Sequence, residues 1–200
     1  MSKLKIAIQK SGRLSENSLR LIQECGIKIP NGGGKLITES TNFPVEILFL
    51  RDDDIPQYVE QKVAHIGIIG ENVLIETRKN LNVIQKLGFS SCRLSLAVAK
   101  EVEYSDLNYF NGKKVATSYP NILKDYFREN NINATIEFIS GSVEIATGIG
   151  LADGICDIVS SGSTLFSNGL KEVERVLSSQ AVLVASENLE SQKQQILEKL

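Results

Sequence analysis

The sequence predicts an α/β fold of two lobes around a cleft, and two observations carry that expectation. Short apolar runs alternate with helical stretches almost throughout. The same strand–loop–helix unit occurs in both halves, at His65–Lys79 and again at Lys113–Asn130. No linker, low-complexity tract or repeat of fixed period interrupts the pattern. A length of 200 residues suits one large domain or two small ones.

The elements follow in order. Lys5–Ile8 reads as a strand, and Lys10, Ser11, Gly12 and Arg13 as the loop after it. A helix is expected from an N-cap at Ser15 to Gly26, with Leu19, Ile22 and Cys25 on one face. Further strands are expected at Val45–Leu50, Ile66–Ile69, Ser95–Ala99, Lys114–Thr117, Thr135–Ile139, Ile155–Ser160 and Ala181–Ala185. Helices are expected near Asp53–Lys62, Glu71–Lys79, Ile122–Asn130 and Leu189–Leu200. In such lobes ligands collect at loops that follow the carboxyl ends of strands.

Composition narrows the function. A net charge of −2 with scattered basic residues gives no field for nucleic acid or an anionic membrane. No segment approaches the roughly 20 apolar residues of a membrane span, and the N-terminus lacks a signal-peptide pattern. A cytoplasmic protein is expected. Three cysteines without CxxC spacing argue against a disulfide framework or a zinc site, and Cys156 reads as an inert core residue. The one histidine, His65, leads an apolar run, where a structural role is the better reading.

The most informative stretch is Asp153–Leu165. An apolar strand carrying Asp157 opens into Ser160-Ser161-Gly162-Ser163-Thr164 and then a short helix ending at Asn168-Gly169. Backbone N–H groups, hydroxyls and a helix start then converge, as a phosphate cradle requires. A carboxylate just before the loop can accept from two neighbouring ribose hydroxyls. The same pattern also fits a tight turn with a Ser/Thr helix cap. It is not a Walker loop, because the GxxxxGK[ST] order is absent.

Glu144 lies near the start of the next element upstream. With Asp157 it can grip a sugar or Mg²⁺, or it can be a solvated charge at a helix start. Lys10 and Arg13 can clamp a polyphosphate, or can be ordinary exposed basic residues. Asp52, Asp53 and Asp54 offer helix capping and hint at a nearby counter-cation. Gly70-Glu71-Asn72 can contact a ligand or cap a helix. Asn31-Gly32-Gly33-Gly34-Lys35 reads as a flexible turn. At Thr117-Ser118-Tyr119-Pro120, Tyr119 can stack on a base and Ser118 can bind an oxygen.

Taken together, Gln9–Leu14, Arg51–Pro56, Gly67–Val73, Cys92–Leu96, Ala116–Pro120, Gly141–Glu144 and Asp157–Gly162 occur in an order that resembles the ATP phosphoribosyltransferases. The resemblance runs from the first strand to the last helix. It implies two lobes like those of periplasmic binding proteins. Residues 1–92 with 179–200 would form lobe I, and residues 93–178 would form lobe II with the phosphoribosyl pyrophosphate loop. It implies transfer of the phosphoribosyl group of phosphoribosyl pyrophosphate to the adenine ring of ATP, the first step of histidine biosynthesis.

On this resemblance the 5-phosphate lies on Ser160, Ser161, Gly162, Ser163 and Thr164, and the ribose near Asp157 and Glu144. Lys10 and Arg13 act at the reacting centre and, with Arg51, face ATP or the pyrophosphate. Glu71, Arg93 and Tyr119 are further ATP candidates. Mg²⁺ accompanies the pyrophosphate, held mainly by substrate oxygens. The motifs resemble the long-form branch, whose members continue into a histidine-binding regulatory domain, whereas this chain stops at Leu200. A catalytic core without that domain is therefore expected, along with a homodimer and a possible regulatory subunit. The rival expectation is a non-catalytic small-molecule binding protein of the same two-lobed fold.

Overall fold

Buried strands alternating with helices build two α/β units in the computed structural model, which describes residues 3–30 and 34–186. Unit 1 is the chain up to Ser90 together with the chain from Gln180, and unit 2 is Ser91–Ser179. The expected helix at Leu189–Leu200 and the Asn31-Gly32-Gly33 part of the glycine turn lie outside the described residues.

Unit 1 begins with β1 (Leu4–Gln9), α1 (Arg13–Glu24), β2 (Ile37–Glu39), β3 (Val45–Leu50), α2 (Ile55–Glu60), β4 (Ile66–Gly70), α3 (Glu71–Thr77) and β5 (Asn82–Lys86). Unit 2 follows with β6 (Cys92–Ala99), β7 (Lys114–Thr117), α4 (Pro120–Glu129), β8 (Thr135–Phe138), β9 (Gly154–Val159), α5 (Ser163–Ser167) and β10 (Leu170–Ser179). The chain then re-enters unit 1 as β11 (Ala181–Ala185).

The sheet of unit 1 has the order β2-β3-β1-β4-β11-β5. β1 pairs in parallel with β3 and β4, whereas β11 runs antiparallel to β4 and β5. Central strands covered on both faces must be apolar at successive positions, which is why Val45–Leu50 and Ile66–Ile69 do not alternate. On one face Ile6, Ile8, Ile47 and Ile68 pack with Ile22 of α1. On the other, Ala7, Leu48 and Ile69 pack with Ile55 and Val59 of α2. Gly67 makes that second contact possible. A β-carbon there would lie 2.8 Å from Ile55 Cγ2 and 3.1 Å from Val59 Cγ2.

His65 is structural: its Nδ1 accepts from the Lys5 N–H at 2.8 Å, and its own N–H donates to the Lys5 carbonyl at 2.9 Å. Ser15 is not the helix cap expected of it. Helix α1 starts two residues earlier, flanked by Gly12 at φ 88°, and Ser15 is buried within it. A glycine that tolerates positive φ lets the chain turn straight from strand into helix.

The sheet of unit 2 has the order β10-β6-β9-β7-β8. β7 pairs in parallel with β8 and β9, while β6 runs antiparallel to β9 and β10. One face carries Leu94, Leu96, Val98, Val115 and Cys156 against Leu123 and Phe127 of α4 and against Phe110. Cys156 is fully buried there, as expected of an inert core thiol. The other face carries Ala97, Ala116, Ile155 and Val159 against Val143, Ala146 and Leu165. Gly154 is needed under Phe110, because a β-carbon would lie 2.9 Å from the ring and 3.1 Å from the Ala97 carbonyl.

Three strands lie outside the expected set. β2 has only three residues. β5 is exposed along its whole length, so it carries no apolar alternation. β10 is interrupted by register shifts between Glu172 and Glu174 and between Arg175 and Leu177, which break the period-2 pattern by which strands are read.

Candidate functional site

In unit 2 the chemistry gathers where β9 ends. Residues paired across β6 and β9 share a face, so Ser95 lies beside Asp157 and Arg93 beside Val159. Asp157 is half-buried, and its Oδ1 accepts from the Ile158 N–H at 2.8 Å. Burial pushes its carboxyl above the ordinary aspartate range, and the charge of Glu144 pushes the same way against the Ile158 N–H. Glu144 sits in the 3₁₀ turn Val143–Ile145, whose buried anchor is Val143.

The loop after β9 is exposed and rich in hydroxyls. Gly162 adopts φ 84° immediately before α5, a conformation that residues with a β-carbon rarely take. Ser161 Oγ and Ser163 Oγ are 2.9 Å apart, and the Ser163 N–H lies 3.4 Å from Ser161 Oγ. Thr164 is exposed in the first turn of α5. At the far end of α5, Lys100 donates to the Phe166 carbonyl at 2.9 Å and lies 3.5 Å over its ring.

Arg93, a candidate for contact with ATP, is bound within unit 2 by Glu172 and Ser160. Its Nε and Nη2 donate to the two carboxylate oxygens of Glu172, each at 2.5 Å, and its Nη1 donates to the Ser160 carbonyl at 3.2 Å. The fork holds the Glu172 carboxyl below its ordinary range, and the Ser95 hydroxyl, donating at 2.7 Å, lowers it further. Tyr119 flanks the start of α4, its ring packed against the core of unit 2 and its N–H bonded to Thr117 Oγ1 at 2.9 Å. Ser118 Oγ donates to the Ile139 carbonyl at 2.6 Å.

In unit 1 the basic candidates cluster at the ends of two paired strands. Gln9 of β1 is opposite Leu50 of β3, and the Lys10 N–H donates to the Leu50 carbonyl at 2.8 Å. Lys10 and Arg51 therefore leave the sheet side by side. Arg13 opens α1 from an exposed position. Of the three aspartates, Asp53 has a cation near it, the Arg51 Nε at 3.5 Å from its Oδ1. Asp54 precedes α2 without a side-chain cap. Glu71 starts α3 and pairs with Lys86 of β5 at 2.9 Å.

A cavity of about 600 Å³ opens beside Lys10 and Ser11, floored by Leu19, Ile29, Leu36 and Phe49 and flanked by Lys35. Its lining residues include Lys10 and Lys35 and none that is acidic, a composition that suits an anion with an apolar body. Lys35 closes the glycine run that reads as a flexible turn, because no helix signal follows it in the sequence. Among the described residues no group of three or more His, Cys, Asp or Glu could hold a metal ion, and no helix is long and apolar enough to cross a membrane.

The family model of HisG, ATP phosphoribosyltransferase, matches residues 51–200. The ATP phosphoribosyltransferase of Cytophaga hutchinsonii is 61% identical over 197 residues, covering 98% of this chain and 69% of that protein. This chain belongs to the ATP phosphoribosyltransferase family. Among solved structures, a chain of the ATP phosphoribosyl transferase (HisG:HisZ) complex from Thermotoga maritima superimposes with a TM-score of 0.82 at 28% identity, covering 98% of this chain and 96% of that one. A histidine kinase sensor domain with similarity to periplasmic binding proteins gives a TM-score of 0.64 at 9% identity, covering 98% and 88%, which is a likeness of fold alone. The fold expected of an ATP phosphoribosyltransferase, mixed α/β on two sheets with the likeness to periplasmic binding proteins, is therefore present.

Proposed function

We propose that the chain catalyses the first step of histidine biosynthesis, transferring the phosphoribosyl group of phosphoribosyl pyrophosphate to a ring nitrogen of the adenine of ATP. The observation that carries this reading is the end of β9. There a half-buried carboxylate, Asp157, whose pKa the charge of Glu144 helps to raise, leads straight into the hydroxyl-lined loop Ser160–Thr164. A carboxylate followed by a small anion-binding loop fits ribose hydroxyls followed by a 5-phosphate.

In the reaction the adenine lone pair forms a bond to the anomeric carbon. The bond from that carbon to the pyrophosphate oxygen breaks, and its electron pair leaves with pyrophosphate. No protein nucleophile takes part, so the protein positions and stabilises. Holding two reactants in attack geometry can contribute about 7–11 kcal/mol at best. The transition state is oxocarbenium-like, positive at the sugar and negative at the departing pyrophosphate, so carboxylates suit the ribose side and cations the leaving group. Asp157 and Glu144 fill the first role. Lys10, Arg13 and Arg51 fill the second or hold the polyphosphate of ATP, and Lys35 joins them from the cavity it shares with Lys10.

Glu71, already neutralised by Lys86, and Tyr119, with its ring on the core, are secondary ATP contacts in this proposal. When bound, Mg²⁺ would supply charge neutralisation on the pyrophosphate, and in this proposal substrate oxygens are its principal ligands. The same reading takes the protein as a cytoplasmic homodimer with a possible regulatory subunit, a partner for which the HisG:HisZ complex of Thermotoga maritima is the precedent.

The test is release of pyrophosphate on mixing the protein with ATP, phosphoribosyl pyrophosphate and Mg²⁺. Stoichiometric formation of phosphoribosyl-ATP is expected. Binding of both substrates without turnover would leave a binding protein of the same fold.

A further inference from the structure

We propose that Arg93, held by Glu172 and Ser95, is a positioning residue that sets the orientation of the Ser160–Ser161 peptide and thereby the affinity for the phosphoribosyl donor. The inference rests on the reading of Ser160–Thr164 as the 5-phosphate loop. Arg93 is the second residue of β6, between β9 and β10, so it reaches both the exit of one neighbour and a side chain of the other. Its Nη1 donates to the Ser160 carbonyl at 3.2 Å. A trans peptide is planar, with its C=O and N–H pointing in opposite directions. Turning the Ser160 carbonyl toward Arg93 therefore turns the Ser161 N–H away from it, to the side where the loop can present it to an anion.

The guanidinium is itself fixed. Two parallel bonds to both oxygens of Glu172 leave it no freedom to rotate about its fork. The carboxylate of Glu172 is anchored in turn by the Ser95 hydroxyl at 2.7 Å, and Ser95 is 1% exposed. Ser95 also pairs with Asp157 across the β6–β9 ladder, so one polar chain runs from the ribose carboxylate's neighbour to the mouth of the phosphate loop. The charge of Arg93 is answered by Glu172, which fits a part in shaping the loop better than one in gripping the phosphate.

Glu172→Gln is the decisive variant. It retains the shape and one acceptor but gives up the charge and the second acceptor that fix the fork. If Arg93 positions the loop, Glu172→Gln and Arg93→Ala both weaken phosphoribosyl pyrophosphate, by roughly ten- to hundred-fold in Kd, since small misplacements of a binding group carry penalties of that size. ATP affinity stays at wild type. Arg93→Lys fails to rescue, because an ammonium cannot fork Glu172 and reach the carbonyl together. Ser95→Ala moves the Kd the same way by less, and remains informative should Glu172→Gln fold poorly. The Ser161 amide resonance shifts in each variant.

A direct grip on the phosphate by Arg93 would give other signs. Glu172→Gln would then leave or tighten donor binding, and Arg93→Lys would restore it, either of which overturns the proposal. Folded variants with wild-type donor Kd and a lower melting temperature would overturn it too. Gly162→Val separates this failure from failure of the underlying reading. If Gly162→Val loses the donor while the clamp variants keep it, only the clamp is wrong. If Gly162→Val keeps it, the loop itself does not bind the phosphate.

Discussion

Two loops in this molecule are built alike and equipped differently. After β1 the chain runs Lys10-Ser11-Gly12-Arg13, and after β9 it runs Ser160-Ser161-Gly162-Ser163. In each, a glycine at positive φ, 88° for Gly12 and 84° for Gly162, turns the strand into a helix without a side-chain cap. In each, its carbonyl accepts the first helical bond, from Glu16 at 3.1 Å and from Phe166 at 3.0 Å. The first loop carries its charge on its own side chains, Lys10 and Arg13. The second carries only hydroxyls, and its charged support comes from outside, from Arg93 and Glu172 on neighbouring strands. In the proposed function this one backbone device would serve two purposes: long cations can follow a phosphate chain whose shape changes in the reaction, whereas a short loop of fixed peptides suits a 5-phosphate that stays put.

The sharpest way to break this comparison is to put a β-branched side chain at each glycine. Valine at positive φ is a conformational outlier whatever space surrounds it. Gly162→Val should lower phosphoribosyl pyrophosphate affinity roughly a hundred-fold or more, as expected for a displaced binding group. The fold should survive, because the loop is exposed. Gly12→Val should instead weaken ATP. Calorimetry with each substrate on both variants checks the assignment, and loss of the same substrate by both would erase the distinction.

Asp157→Asn comes next in size. Losing charge-assisted bonds to the ribose should weaken the donor by about 1.5–3 kcal/mol, with ATP binding to the free enzyme unchanged. Titration of the variant with each substrate decides it.

The same carboxylate gives the comparison a pH signature, because the loop after β1 has no half-buried acid of this kind. Burial and Glu144 raise the Asp157 pKa in the fold. Between the unfolded value near 3.9 and the raised folded value, the folded state holds more proton than the unfolded one. Stability therefore falls as pH rises through that window. Apo Asp157→Asn should be the more stable protein above it, by thermal melting across pH. Donor affinity should fall on acidification at a higher pH than an ordinary aspartate would give, and this limb should vanish in Asp157→Asn.

The smallest effect is expected at Arg51. Its pair with Asp53 is exposed on both sides, so Arg51→Ala should change stability by no more than about 1 kcal/mol. A modest rise in the KM for ATP, with that for the donor unmoved, would sharpen the assignment of the two loops.

Much of this was legible in the sequence, for reasons that differ from residue to residue. Asp157 and the loop stood out because β9 is apolar on both faces until a carboxylate interrupts it, and because Gly162 follows a run of serines. Arg93 was visible in the sequence, but its partner was not. Glu172 lies on β10, where two register shifts scramble the alternation, and a partner 79 residues away leaves no local trace. Lys35 was read as part of a flexible turn because no helix signal follows its glycine run, and the Ser15 cap was misplaced because Gly12 does that work by conformation rather than by hydrogen bonding.

The position of β11 bears on how the protein is made. It lies between β4 and β5, and among the described residues β5 pairs with no other strand in that sheet. A nascent chain that has emerged through Ser90 holds β5 but has nowhere to put it, and it must complete all of unit 2 before the bridging strand appears. Unit 2 is one unbroken stretch and can collapse as a unit during synthesis, whereas unit 1 must wait for residues separated by the whole of that stretch. Until then β5, with Val83 and Ile84 in it, lacks its partner strand, and an unpaired strand edge is a template for pairing with another chain.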